Sequence, residues 1–379
     1  MRRQRILHLI DTGGPGGAET VLVNLVAGLG TERWEHHVAV PLRDWLYNTL
    51  EERDIPVTVL PSEGAFDVRY LRGIIRTIRD LRIDIIQTHL FTSAVYGAVA
   101  GVVTGVPIVS TIHGIVDTGP DNLKRKVKFR IINRSRNRIV LVSRLLKDAL
   151  AEQARLREKI QTVIHNGIDT TIYHPARDTG FRQELNLPED AILIGALGNV
   201  RVPKDYGNLL NAAAILKARS SRYHVAIVGD TEWEPELYQE LLARRAELGL
   251  EKTVTFTGFR PDTARLLNNF DLYVMSSERE GLPLALAQGM STGLPVVSTR
   301  AGGAQELITS GRDGLLVPVR DPVALADAID SLARDPSRMA EFGFAARRTI
   351  EENFAIGKMV ARYEGLYHEL LGITPSAGV

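Results

Sequence analysis

No cysteine occurs in the 379 residues, which removes disulfides, thiolate nucleophiles and zinc–sulfur sites and fits a reducing compartment, so a cytoplasmic protein is expected. Neither Asp-x-Asp nor His-Glu-x-x-His appears, and no metal site is expected. Aromatic residues make up only 6% and the net charge is +1, so a nucleic-acid partner has neither a stacking platform nor a basic field to bind. Residues 85–116 carry no Asp, Glu, Lys or Arg, but Gly97, Gly101, Gly105 and Pro107 interrupt them, and a buried helix followed by a buried strand is expected there rather than a membrane span.

Charge is unevenly divided. Residues 1–175 hold 24 Lys and Arg against 18 Asp and Glu, and the remainder 22 against 27, so the first half is poised to meet something acidic. The length exceeds what one core usually supports, and short apolar runs alternate with helical patterns throughout, the signature of parallel sheets built from βαβ units. Strands are expected at 6–10, 37–40, 84–88, 108–112, 139–142 and 162–165, then at 192–197, 224–228, 254–256, 272–275, 296–298 and 315–317. The fold expected is α/β, with two Rossmann-like doubly wound domains at 1–170 and 171–355 and a helix at 356–379 returning to the first. In such sheets ligands sit beyond the carboxyl ends of the strands, and with two domains the natural site is the cleft between them.

The loops at those strand ends carry the chemistry. Asp11-Thr-Gly-Gly-Pro-Gly-Gly-Ala-Glu19 follows the first strand and matches neither G-x-G-x-x-G nor the P-loop pattern, which disfavours a dinucleotide. His113-Gly114 follows the strand at 108–112, and its imidazole can donate to a sugar hydroxyl or a phosphate oxygen. Arg201 and Lys204, in the loop after 192–197, suit a diphosphate, and Asp205 can cap the helix that follows. Glu280 precedes a Gly turn and a short helix, a grip for an anionic, hydroxyl-rich ligand.

Residues 124–138 hold eight basic side chains, Lys124, Arg125, Lys126, Lys128, Arg130, Arg134, Arg136 and Arg138, with Val127, Phe129, Ile131 and Ile132 between them. A basic amphipathic helix of this kind reads as a peripheral anchor on the inner membrane face.

In order and spacing, Gly13-Gly-Pro-Gly-Gly-Ala-Glu19, His113-Gly114, Asn166-Gly-Ile-Asp169, Arg201 with Lys204, Gly258-Phe259, Glu280-Gly-Leu-Pro283, Gly293-Leu-Pro-Val-Val297 and Gly302-Gly-Ala-Gln-Glu306 resemble the retaining glycosyltransferases of family 4, of GT-B architecture. The resemblance implies transfer of a sugar from a nucleoside-diphosphate sugar, UDP ahead of GDP, to a lipid-linked or oligosaccharide acceptor, without metal or other cofactor. It implies that Arg201 and Lys204 clamp the diphosphate, Glu280 binds the transferred sugar, and His113 touches it near the reacting carbon. The N–H groups of Gly281, Leu282 and Leu284 would assist at the phosphate, Gly16 and Gly17 would approach it from the first domain, Phe259 and Arg260 would lie by the base, and Glu19 would meet the acceptor. One position departs from the family pattern: Gln288 stands where a second glutamate binds the ribose. A neutral amide has one acceptor oxygen, and donor affinity about tenfold lower is expected. A catalytically weakened nucleotide-sugar-binding protein and a nucleotide-sugar epimerase of the same architecture are the alternatives.

Overall fold

Two parallel sheets organise the chain, seen in a computed structural model that describes residues 2–62, 67–114, 118, 123–135, 137–154 and 156–373. Residues 2–167 and 356–373 form one compact unit, and 168–355 a second.

In the first unit the strands are β1 (Gln4–Leu9), β2 (Trp34–Val40), β3 (Val57–Val59), β4 (Ile85–His89), β5 (Ile108–Ile112), β6 (Asn137–Leu141) and β7 (Gln161–Val163). Between them run α1 (Gly17–Leu29), α2 (Trp45–Glu51), α3 (Val68–Asp80), α4 (Phe91–Thr104), α5 (Leu123–Arg134) and α6 (Arg144–Ala154). The sheet order is β3-β2-β1-β4-β5-β6-β7, all parallel. β1 is therefore the point from which the chain winds first one way and then the other, and the loops after β1 and β4 diverge there to leave a crevice.

The second unit repeats this plan. Its strands are β8 (Ile192–Leu197), β9 (Tyr223–Val228), β10 (Val254–Phe256), β11 (Leu272–Met275), β12 (Val296–Thr299) and β13 (Leu315–Val317), in the order β10-β9-β8-β11-β12-β13. Its helices are α7 (Gly180–Glu184), α8 (Tyr206–Arg219), α9 (Pro235–Glu247), α10 (Thr263–Leu267), α11 (Leu284–Ser291), α12 (Ala304–Leu307), α13 (Pro322–Ala333) and α14 (Pro336–Asn353). Here the switch point lies between β8 and β11. The central strands are apolar because helices cover both faces: Leu193, Ile194, Leu272, Val274, Val296 and Val297 are fully buried. Asp205 caps α8 as its spacing predicts, its carboxylate accepting the N–H of Asn208 at 3.2 Å.

The last helix, α15 (Ile356–Leu371), belongs to the first unit. Its Tyr363 and Tyr367 are buried, and their hydroxyls meet a polar layer of the first sheet. Tyr367 donates to Gln87 Oε1 at 2.8 Å, Gln87 donates to Thr111 Oγ1 at 2.9 Å, and Thr111 shares a hydrogen bond with Tyr363 at 2.8 Å. Trp34 of β2 stacks on His368 and donates to Glu364. Buried side-chain polar groups matched in this way fix the position of a helix more narrowly than apolar contact alone.

Candidate active site

At the switch point of the second unit, the loop after β8 and the loop after β11 meet. Lys204 Nζ lies 2.8 Å from Glu280 Oε1, and the Ser277 hydroxyl donates to the same oxygen at 2.6 Å. Their backbones are tied as well: Glu278 N–H donates to the Pro203 carbonyl at 2.8 Å and the Ser276 hydroxyl to the Lys204 carbonyl at 2.9 Å. Ser277 was not singled out from the sequence, although its spacing three residues before Glu280 was the available signal.

Glycine makes the turn at Glu280 possible. Gly302 has φ +48°, and a Cβ there would stand 1.9 Å from the Glu280 carbonyl oxygen; one on Gly303 would stand 2.1 Å from that of Gly281. The Gly302-Gly303 pair thus lets its loop pack directly on the backbone leading into α11. No side chain caps α11, whose N-cap is Pro283. The first-turn N–H groups, Leu284 among them, therefore have no partner within the helix and present a positive dipole end. Gly281, Leu282 and partly buried Gln288 belong to the same segment.

Arg201 lies in the loop that carries Lys204. Its Nε is 3.7 Å from Glu234, and its guanidinium stacks on Trp233 at 5.4 Å, a support the sequence reading did not anticipate. Phe259 is 44% exposed and open to a ligand. Arg260, expected beside the base, has its guanidinium gripped by Asp262 at 2.9 and 2.8 Å and by Glu184 at 2.9 Å, and it stacks on Phe181. Bidentate pairing makes it a brace for its own loop.

In the first unit, Gly16 is the N-cap of α1 and Gly17 its first residue. A Cβ on Gly16 would come within 2.4 Å of Glu19 Oε2. Glu19, expected to meet the acceptor, is 4% exposed and accepts the Thr12 hydroxyl at 2.5 Å. It faces inward from the first turn of α1 and braces the Gly-rich loop through Thr12. His113 follows β5 and lies 3.3 Å from His89 through Nε2 and Nδ1. Burial pulls its pKa down to about 3, so the ring is neutral at physiological pH.

The basic segment is also revised. Lys124, Lys126, Arg130 and Arg134 are exposed on α5, with Lys128 partly buried over the Phe91 ring. Arg125 is 5% exposed, donating to Thr118 and stacking on Phe129, and cannot face a membrane. Arg138 is on β6 and pairs with Glu369 at 2.7 Å, because the helix ends at Arg134. Arg136 lies outside the described residues. A second basic face went unnoticed: Arg69, Arg72, Arg76 and Arg79 are exposed on α3, while Tyr70, Ile74 and Ile78 are buried. The i, i+3, i+7, i+10 spacing was the signal. α4 packs against both α3 and α5 and exposes Val102 and Val103.

Among the described residues no group of three or more His, Asp or Glu is placed to hold a metal ion, and no helix is long and apolar enough to cross a membrane.

Two parallel sheets, one of order 3-2-1-4-5-6-7 and one of order 3-2-1-4-5-6 with a lysine–glutamate pair and an uncapped helix start at its switch point, define a doubly wound α/β protein. Family models agree: "Glycosyltransferase Family 4" matches residues 15–172 and "Glycosyl transferases group 1" residues 191–335. N-acetyl-alpha-D-glucosaminyl L-malate synthase of Bacillus anthracis is 30% identical over 269 residues, 70% of this chain and 68% of that one. The Escherichia coli UDP-Gal:alpha-D-GlcNAc-diphosphoundecaprenol alpha-1,3-galactosyltransferase is 23% identical over 87% of each chain. Among solved structures, Anabaena Alr3699/HepE in complex with UDP-glucose superposes with a TM-score of 0.89 at 25% identity, covering 97% of this chain and 100% of that one. The chain belongs to glycosyltransferase family 4 and has the GT-B architecture.

Proposed function

We propose that this glycosyltransferase moves a sugar, with retention of configuration and without a metal ion, from a UDP-sugar to a lipid-linked glycan acceptor at the inner face of a membrane. The observation that carries the donor half is the Lys204–Glu280 pair beside the start of α11. Lys204 and Arg201 would stabilise the negative charge that develops on the departing diphosphate, the α11 N–H groups would receive its oxygens, and Glu280 would accept sugar hydroxyls. Similarity to a structure that holds UDP-glucose supports the nucleotide, and the diphosphoundecaprenol substrate in the name of the Escherichia coli relative supports a lipid-linked acceptor. Retention rests on family membership.

A panel of nucleotide sugars tested by thermal shift and by transfer in the presence of a chelator checks this reading. A UDP-sugar at a hundred times its dissociation constant should stabilise the protein by about 2.7 kcal/mol. Preference for another nucleotide, or loss of turnover with chelator, would overturn it.

The acceptor half is carried by α3 and α5. Eight exposed cations on these two helices, with Leu123 77% and Val127 41% exposed among them, suit an anionic lipid surface, where each cation contributes about 1 kcal/mol. Sedimentation with anionic vesicles should be strong at low salt and weaken as salt rises. Neutralising Arg72, Arg76, Arg130 and Arg134 together to Gln should abolish it, and unchanged sedimentation would remove membrane docking from the proposal.

A further inference from the structure

At the end of the first sheet opposite His113, the segments leading into β5, β6 and β7 surround a cavity of about 360 Å³, a size that holds small molecules in other proteins. Pro107 enters it from before β5, Ser135 and Arg138 from the start of β6, Arg157 and Lys159 from before β7, and Leu370 from α15. His113 follows the far end of β5, roughly 20 Å away at about 3.3 Å per residue. A ligand held here stands outside the reaction.

Charge in this cavity is one-sided. Arg138, Arg157 and Lys159 bring three positive groups, and among the described residues the carboxylate paired with them is Glu369, 2.7 Å from Arg138. Glu158, between the other two in sequence, does not line the cavity. Arg157 is held by its backbone N–H, which donates to Asn133 Oδ1 at 3.0 Å, while its guanidinium and the Lys159 ammonium have no ion-pair partner among the described residues. A net charge of two remains to be met, and a phosphate monoester carries about −1.5 to −2 at neutral pH. Two guanidinium forks and an ammonium supply the donors its oxygens need. The Ser135 hydroxyl is not among them, because it donates to the Ile132 carbonyl at 2.8 Å.

The rest of the wall is apolar, and its edge is bare. Gly105, which ends α4 at φ +78°, carries no side chain over the cavity, and a Cβ there would meet no described atom within 4 Å. Val102 and Val103, within three residues of it, are exposed. A phosphate grip beside uncovered valines suits a headgroup with its acyl chain.

We propose that this cavity binds a phosphate monoester, carried by a lipid headgroup or by a soluble molecule, through Arg138, Arg157 and Lys159. The apolar edge favours the lipid. The phosphate site does not depend on the transferase reading; its lipid form extends the membrane docking proposed for α3 and α5.

Titration calorimetry of the full chain with glycerol 3-phosphate and with monomeric dihexanoyl phosphatidic acid tests this. One site per chain is expected for each, with the lipid at least tenfold tighter because its chains bury apolar surface. Equal affinities would keep the site and assign it to a soluble ester. Arg157→Gln combined with Lys159→Gln alters two exposed side chains and should weaken both ligands more than tenfold, the effect of losing two charge-assisted hydrogen bonds. Lys204→Ala should leave glycerol phosphate binding unchanged, which separates the cavity from the donor site. No binding of either ligand at millimolar concentration, or binding that the double variant leaves intact, would overturn the proposal. Because glycerol phosphate needs no membrane, that result is independent of the vesicle experiment above.

Discussion

Replacing Lys204 by Ala is expected to lower kcat/KM by about two orders of magnitude, and Arg201→Ala to do so to a similar degree, as loss of preorganised charge stabilisation typically does. The two losses should differ in what accompanies them. Lys204 is ion-paired with Glu280, their side chains being 24% and 13% exposed, so its removal leaves a mostly buried carboxylate with Ser277 as its remaining side-chain donor among the contacts described above. The free protein should therefore lose stability as well as activity, and Lys204→Met combined with Glu280→Gln should recover stability without recovering turnover. Arg201 is 43% exposed and rests against Trp233 and Glu234, so Arg201→Ala should leave the unfolding midpoint nearly unchanged. Steady-state kinetics paired with thermal melts would check both. Near-normal turnover in the two single variants would remove these side chains from the mechanism.

Acidification should destabilise the first unit strongly. Burial holds His8 and His89 well below the ordinary histidine range, so they stay neutral in the folded protein. In the unfolded chain the same side chains take up protons below a pH of about 6.5. Stability is thus fully present above that pH and is lost as the pH falls. As the pH falls below about 6.5, both groups therefore withdraw stability in step with the protons the unfolded chain takes up. His113 acts in the same direction until pH approaches its depressed value of about 3. Asp11, raised by burial, opposes this only in the acidic range where its carboxyl takes up a proton. Melting curves at pH 7.5, 6 and 5 measure the effect, and an unfolding midpoint that does not move would contradict it.

Most of the fold was legible because buried parallel strands are apolar runs with turns at either end. Ile108–Ile112, Ile192–Leu197 and Leu272–Met275 lie where expected, whereas β3 was missed because Val57-Thr-Val59 is a three-residue, half-buried edge strand with little to distinguish it from a loop. The loops carrying Lys204 and Glu280 were legible as candidates since both follow strands, but their 2.8 Å contact is set by strand order, which local pattern does not reveal. The surroundings of Glu19, Arg125 and Arg260 were not legible for one reason. A charged side chain in a loop or on a basic helix looks available until its partners, residues apart in sequence, are known. The buried histidine neighbours were invisible for the same reason: His8, His36 and His89 come from three strands that the sheet brings together.

Because α15 comes from the far end of the chain, the first unit cannot finish assembling on the ribosome when its own strands emerge. Gln87 and Thr111 wait for Tyr367 and Tyr363, which are made only after all of residues 168–355. The second unit is continuous in sequence and can complete its core as it is synthesised, so the order of maturation should run opposite to the order of translation.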